Sequence, residues 1–242
     1  MAPIPQKPAQ PDPSPGNRVV ISGMSGLYPE AHNVEELSDI LYNKVNPIRT
    51  DHKRWSYNHP EASMHIGVAP DLSLFDSQFF KIHRRMGLLV DPMSRKLLEE
   101  SYKAIYDAGL SPEHLANKRV GVYIGASLSE TEKCFFYDSN SRAGLGIAGC
   151  SRTMFANRIS YWLNAKGPSH AVDQACCSST AALQEAYKAI KNGDCDAAIA
   201  GGASLCLHPQ TLIHYGRLSK LSMDGKTKSY DQNAEGCARS EA

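Results

Sequence analysis

The chain has 242 residues, with 26 Lys and Arg against 25 Asp and Glu and a net charge of +1. That balance excludes a binder driven by phosphate neutralisation, so no nucleic-acid partner is expected. At 42% hydrophobic residues the chain can build a sizeable core, and no window approaches the roughly 18 to 20 consecutive apolar residues of a membrane span.

Six of the fourteen prolines fall in the first sixteen residues. This composition predicts a disordered, Pro-rich tail over 1–17, followed by one folded unit over 18–242. The start, MAPIPQKPAQ, lacks the apolar stretch of a signal peptide, so the expected location is cytoplasmic. Arg18 to Met24 (RVVISGM) then reads as a buried strand. Asn33 reads as the cap of a helix running to Val45, with Val34, Leu37, Ile40 and Leu41 on one face. Asp91 followed by Pro92 is a strong helix start, and the helix continues through Leu97, Leu98, Tyr102 and Ile105 to a stop at Gly109.

Arg119 to Ala126 (RVGVYIGA) is a second buried-strand candidate, and Ser129 with Glu132 can form a capping box. Ser151 to Leu163 repeats the helical spacing at Phe155, Ile159, Trp162 and Leu163. An extended piece follows from Ser169 to Ala175, then a helix from about Cys177 to Lys191 closed by Gly193, then an apolar strand from Asp196 to Leu207. Strands alternating with helices predict an α/β fold, a mostly parallel sheet covered by helices on both faces.

Seven cysteines occur, at Cys134, Cys150, Cys176, Cys177, Cys195, Cys206 and Cys237. An odd number without a CxxC pair fits neither a disulfide framework nor a structural zinc site, so no metal is expected. Most of these thiols read as reduced, buried packing residues. The sharpest chemical signal is the run Val172-Asp173-Gln174-Ala175-Cys176-Cys177-Ser178-Ser179-Thr180. A cysteine where a strand ends and a helix begins faces the positive end of the helix dipole, which favours thiolate over thiol. The small residues around it leave room for a tight turn and an approaching acyl group. The competing reading is two small side chains packed under a capped helix, and spacing does not choose between Cys176 and Cys177 as nucleophile.

A thiolate usually works with histidine. Alternation places His170 on the face of Val172 and Gln174, which suits a packing or surface residue. His32, His52, His59 and His65 lie in loop-like stretches and gain no role. Gly144-Leu145-Gly146-Ile147-Ala148-Gly149 matches GxGxxG, but a polar loop precedes it where a dinucleotide site needs a strand.

The turn VDQACCSST resembles the VDTACSSS signature of β-ketoacyl synthases, enzymes of the thiolase fold. The resemblance extends through ISGMSGLYPEA, DPMSRKLLEESYKAIYDAGL, VGVYIGASLSET, ANRISYWLNAKGPS, AALQEAYKAIKNGDCDAAIAGGASL and RLSKLSMDGKTKSYDQNAEGCARSEA, in the family's usual order. The blocks are most similar to the N-terminal ketoacyl synthase domain of animal type I fatty acid synthases. The resemblance implies an α/β, thiolase-like fold, of which 18–242 is the N-terminal part. It further implies an acyltransferase in which Cys176 carries the acyl chain as a thioester and lends its backbone N–H to the oxyanion hole.

Malonyl carrier protein would then be decarboxylated and condensed with that thioester. The two histidines that support this step belong to motifs resembling EAHGTGT and Lys-Ser-Asn-Ile-Gly-His, and neither occurs in these residues. The implied partner is acyl carrier protein, whose phosphopantetheine brings the substrate, together with a second copy in a homodimer. No cofactor is implied for this domain, and NADPH would serve only other domains of such a synthase. Gln174, Cys177 and Cys237 depart from the family's usual threonine, serine and aromatic residue. The alternatives are a polyketide synthase fragment and a truncated or decayed half without catalysis, used in dimerisation or inactive. If the natural chain ends at residue 242, condensation is expected to fail; if it continues, the activity can be intact.

Overall fold

The computed structural model describes residues 18–55, 59–132, 146–218 and 220–242. Helix α1 (Val34–Tyr42) begins where Asn33 accepts a hydrogen bond from the Glu36 N–H at 2.8 Å. Two short strands follow, β1 (Ile48–Arg49) and β2 (Ile66–Gly67), and then a single helical turn, α2 (Arg84–Gly87). Helix α3 (Pro92–Asp107) is capped by Asp91, whose carboxylate accepts the Met93 N–H at 2.7 Å. Proline at its first position lacks an N–H that would have gone unpaired there. Its inward face carries Leu97, Leu98 and Ile105, all buried.

After the short α4 (Pro112–Leu115), strand β3 (Val120–Gly125) is buried at every residue, as expected of a central parallel strand covered on both sides. Helices α5 (Gly146–Cys150) and α6 (Thr153–Leu163) lead to β4 (Ser169–Val172). A 3₁₀ turn (Ala175–Cys177) joins β4 to helix α7 (Ser178–Asn192), which ends at Gly193. Strand β5 (Ala197–Gly202), helix α8 (Pro209–Arg217) and β6 (Arg239–Ser240) complete the described elements.

The main sheet is three-stranded, in the order β4-β3-β5, and all its pairings are parallel. Alternation along β3 builds two cores. Val122 and Ile124 face Leu97, Leu98, Phe155, Ile159 and Trp162 of α3 and α6. Tyr123 faces Ala182, Ala186 and Ala189 of α7. The small residues on that side bring α7 close to the sheet, and the sheet is covered on both faces. A second small sheet, β1-β2-β6, pairs β2 with β1 antiparallel and with β6 parallel.

Three local expectations need correction. Arg18 to Met24 forms no strand, and Val20 and Ile21 are 75% and 77% exposed. Among the described residues no strand pairs with this apolar run, and neither three-stranded sheet includes it. Instead it lies along α3. The Met24 N–H donates to Asp107 Oδ2 at 2.8 Å and the Ser25 hydroxyl to the Glu100 carbonyl at 2.6 Å. Helix α1 starts at the expected cap but ends at Tyr42 rather than Val45, buries none of its residues, and leaves Leu41 on its apolar face exposed. The strand expected from Asp196 to Leu207 is confined to β5; beyond it Ser204 pairs through both backbone groups with Ala242. The tail over 1–17 lies outside the described residues.

Candidate active site

The cysteine turn sits at the carboxyl end of the parallel sheet, where β4 stops and α7 begins. In open α/β sheets this edge is where ligands bind. Gly125 at the end of β3 makes the arrangement possible. A Cβ there would stand 2.4 Å from the Ser178 carbonyl carbon and 2.5 Å from the Ser179 nitrogen. Only a glycine lets the first turn of α7 rest on the strand end.

Within the turn every joint is tied. Ala175 has a left-handed φ of +48°, a conformation that costs a residue with a Cβ about 1–2 kcal/mol. Its N–H donates to Asp173 Oδ1 at 3.1 Å and its carbonyl accepts the Ser178 hydroxyl at 2.6 Å. The same Ser178 oxygen accepts the Gln174 N–H at 2.9 Å, and the Cys177 N–H donates to the Gln174 carbonyl at 3.0 Å. Cys176 and Cys177 project from this turn and are both exposed. No side chain caps the start of α7, so its first-turn N–H groups and the dipole of a 15-residue helix act at the cysteine turn.

Asp173 is held from its other side. Arg152, at the N-terminus of α6, donates through Nη1 to Asp173 Oδ2 at 2.7 Å and to the Ser127 carbonyl at 2.7 Å. The Ala175 N–H, with Ser127 and the Arg152 guanidinium adding to it, keeps the Asp173 carboxyl below its ordinary range. Sequence reasoning missed Arg152, which lies 21 positions before Asp173 and carries no motif. The aspartate itself had a legible signal, since an Asp that caps the N–H two residues on is a common turn device.

The other sequence candidates separate clearly. His170 is exposed and its ring stacks on Tyr123 at 5.6 Å, the surface position that alternation suggested. His52 lies edge-on against Trp55 at 4.5 Å. Cys150, Cys195 and Cys206 are buried, and burial pushes the Cys150 thiol up to about 11 and that of Cys206 to about 12. Cys176, Cys177 and Cys237 correct the expectation of buried packing thiols, because all three are exposed. Cys176 and Cys177 are exposed because the turn between β4 and α7 presents them outward at the carboxyl edge of the sheet. Cys134 and the first residues of the GxGxxG run lie outside the described residues. Gly149 of that run has a packing role: a Cβ there would stand 2.1 Å from the Leu89 carbonyl oxygen.

Residues 16–242 match the family model for the N-terminal domain of β-ketoacyl synthases, and the chain belongs to that family. It is 44% identical over 227 residues to a fatty acid synthase of the goose Anser anser anser, covering 93% of this chain and 64% of that protein. It is 34% identical over 241 residues to the polyketide synthase PksM of Bacillus subtilis, covering 93% of this chain and 6% of that one.

Among solved structures it superposes on the ketosynthase from module 6 of the bacillaene synthase of Bacillus subtilis 168. That match has a TM-score of 0.79 and 36% identity, and covers 90% of this chain and 37% of the other. It also superposes on the oxazolomycin ketosynthase domain OzmH KS7 of Streptomyces albus JA3453. There the TM-score is 0.83 at 28% identity, over 92% of this chain and 40% of the other. The α/β, thiolase-like fold is therefore that of ketosynthases, and the chain spans well under half of each solved domain.

Proposed function

We propose that this chain is the N-terminal part of a β-ketoacyl synthase of a fatty acid synthase and that Cys176 is its acyl-accepting nucleophile. The observation that carries the reading is an exposed thiol on a fully tied strand-to-helix turn, at the family's cysteine position, in a chain 44% identical to a fatty acid synthase. The substrate arrives as an acyl thioester on the phosphopantetheine arm of acyl carrier protein. The Cys176 sulfur attacks the thioester carbonyl, a new C–S bond forms, and the pantetheine thiol departs with the proton. Oxyanion charge developing in this step lies beside the Cys176 N–H at the positive end of α7.

Residues 1–242 hold the thiol but not the two histidines that the family uses for decarboxylation. The acyl-loading half of the reaction is thus the part these residues can support. We place the protein in the cytosol as a homodimer, with no cofactor of its own in this domain. Among the described residues no helix is long and apolar enough to cross a membrane.

A polyketide synthase is the second reading, favoured by the superposition on the bacillaene ketosynthase. Product analysis separates them: the native polypeptide, supplied with acyl and malonyl carrier protein and NADPH, is expected to release a fully reduced chain. Retained keto groups favour the polyketide reading. Full condensing activity in a Cys176→Ala variant contradicts both.

A further inference from the structure

Between α6 and the cysteine turn runs a polar relay that the acyl-transfer reading does not use. Asp91, buried at the start of α3, accepts from the Ser129 hydroxyl, and the Ser129 oxygen accepts the Glu132 N–H at 3.0 Å. The Glu132 carboxylate stands 4.0 Å from Arg152 Nε. Arg152 then binds the Ser127 carbonyl beyond β3 and Asp173 beyond β4, both at 2.7 Å. Asp173 closes the chain on the Ala175 N–H, one residue before Cys176. Three segments that are distant in sequence therefore meet on one guanidinium.

We infer that Arg152 and Asp173 are positioning residues, which hold Ala175 in its left-handed conformation and so fix the direction of Cys176. The inference rests on Cys176 being the nucleophile. Ala175 at φ +48° has no glycine to ease that conformation, so the turn holds it only through its bonds to neighbours. Ser178 secures the carbonyl side of Ala175. Asp173 alone secures the N–H side, and Arg152 aims the Asp173 carboxylate. An exposed ion pair adds little to stability, because solvent screens both partners. The value of this pair lies in geometry, since an error of about 1 Å in a reacting atom can cost on the order of 10²-fold in rate.

The variants separate the two contributions. In Asp173→Asn the side-chain oxygen can still accept from Ala175, but its amide meets the guanidinium donor to donor. Asp173→Ala removes both bonds. Arg152→Lys keeps the charge, but its shorter side chain must bring an ammonium to the place of the single Nη1 that serves Ser127 and Asp173. The test is the rate of Cys176 acylation by acyl carrier protein in the longest natural polypeptide that carries these residues, with thermal unfolding recorded for each variant.

Asp173→Ala and Arg152→Ala are expected to slow acylation on the order of 10²-fold, with an unchanged KM for acyl carrier and an unfolding midpoint within a few degrees. Asp173→Asn and Arg152→Lys are expected to fall between these and the native rate. Native rates in both alanine variants overturn the inference. Should Asp173→Ala fail to fold, Arg152→Ala and Arg152→Lys decide alone, with native rates again the contrary result. Failure of the underlying reading is distinct: there, Cys176→Ala itself is acylated at the native rate.

Discussion

At the scale of single residues, Asp173 and Asp91 sit in opposite environments, the first held below the ordinary carboxyl range and the second above it. Burial raises the Asp91 carboxyl above its ordinary 3.8, against the pull of the Ser129 hydroxyl and the Met93 N–H. An acid whose folded value is raised binds its proton more tightly in the native state. Its contribution to stability is therefore greatest below the unfolded value and declines as pH rises through the folded one. Asn at this position caps a helix comparably but does not titrate. The stability of the native protein relative to Asp91→Asn is thus predicted to fall as pH rises above the ordinary carboxyl value of 3.8, measured as paired urea midpoints across pH. A constant difference, or one that rises, contradicts the assignment.

The two adjacent thiols invite a second test at this scale. Cys177→Ser is predicted to leave acyl loading within about 3-fold of native, whereas Cys176→Ala abolishes it. Comparable loss in both variants would mean that the thiols act as a unit. The strand-to-helix turn that presents Cys176 and Cys177 was legible in the sequence because its residues are contiguous. Its support was not, because Arg152 and Ser127 reach the turn only through the fold.

At the scale of elements, caps and spacing were sufficient for the helices. Asp91-Pro92 sets the start of α3, and Phe155, Ile159, Trp162 and Leu163 mark the buried face of α6. RVVISGM forms no strand because apolar composition alone does not supply a ladder neighbour, and the segment bonds to α3 through Met24 and Ser25 instead. The junction between β3 and α7 gives a sharper prediction. Gly125→Ala drives a Cβ into the Ser178 and Ser179 backbone and is expected to cost about 1–3 kcal/mol of stability. It also displaces the cysteine turn, so acylation of Cys176 should slow. Gly149→Ala crowds the Leu89 carbonyl at a comparable cost. A drop in both stability and acylation for Gly125→Ala, read by urea unfolding and thioester formation, checks this; native behaviour in both contradicts it.

At the scale of the whole molecule, the outer edges of β4 and β5 in the main sheet have no strand partner among the described residues. His170, Ala171 and Ala197 on these edges are exposed, and so are Leu183 and Tyr187 on α7 and Val20 and Ile21 beside α3. Unpaired strands flanked by apolar surface recruit further chain. A polypeptide limited to these 242 residues is therefore predicted to self-associate, and light scattering should give a mass above that of the monomer. A strictly monomeric species at micromolar concentration would contradict the reading of those edges. Sequence pattern predicted the α/β class well but not these edges, since local alternation marks a strand without saying which strands pair beside it.

The central claim is that Cys176 accepts the acyl chain. The most direct measurement is to load the native polypeptide with acyl carrier protein, digest it without reducing agent, and locate the acyl group by mass spectrometry. A thioester on Cys176, absent from the Cys176→Ala variant, is the predicted result. An acyl group on Cys177 or elsewhere, or no covalent adduct during productive turnover, would contradict it.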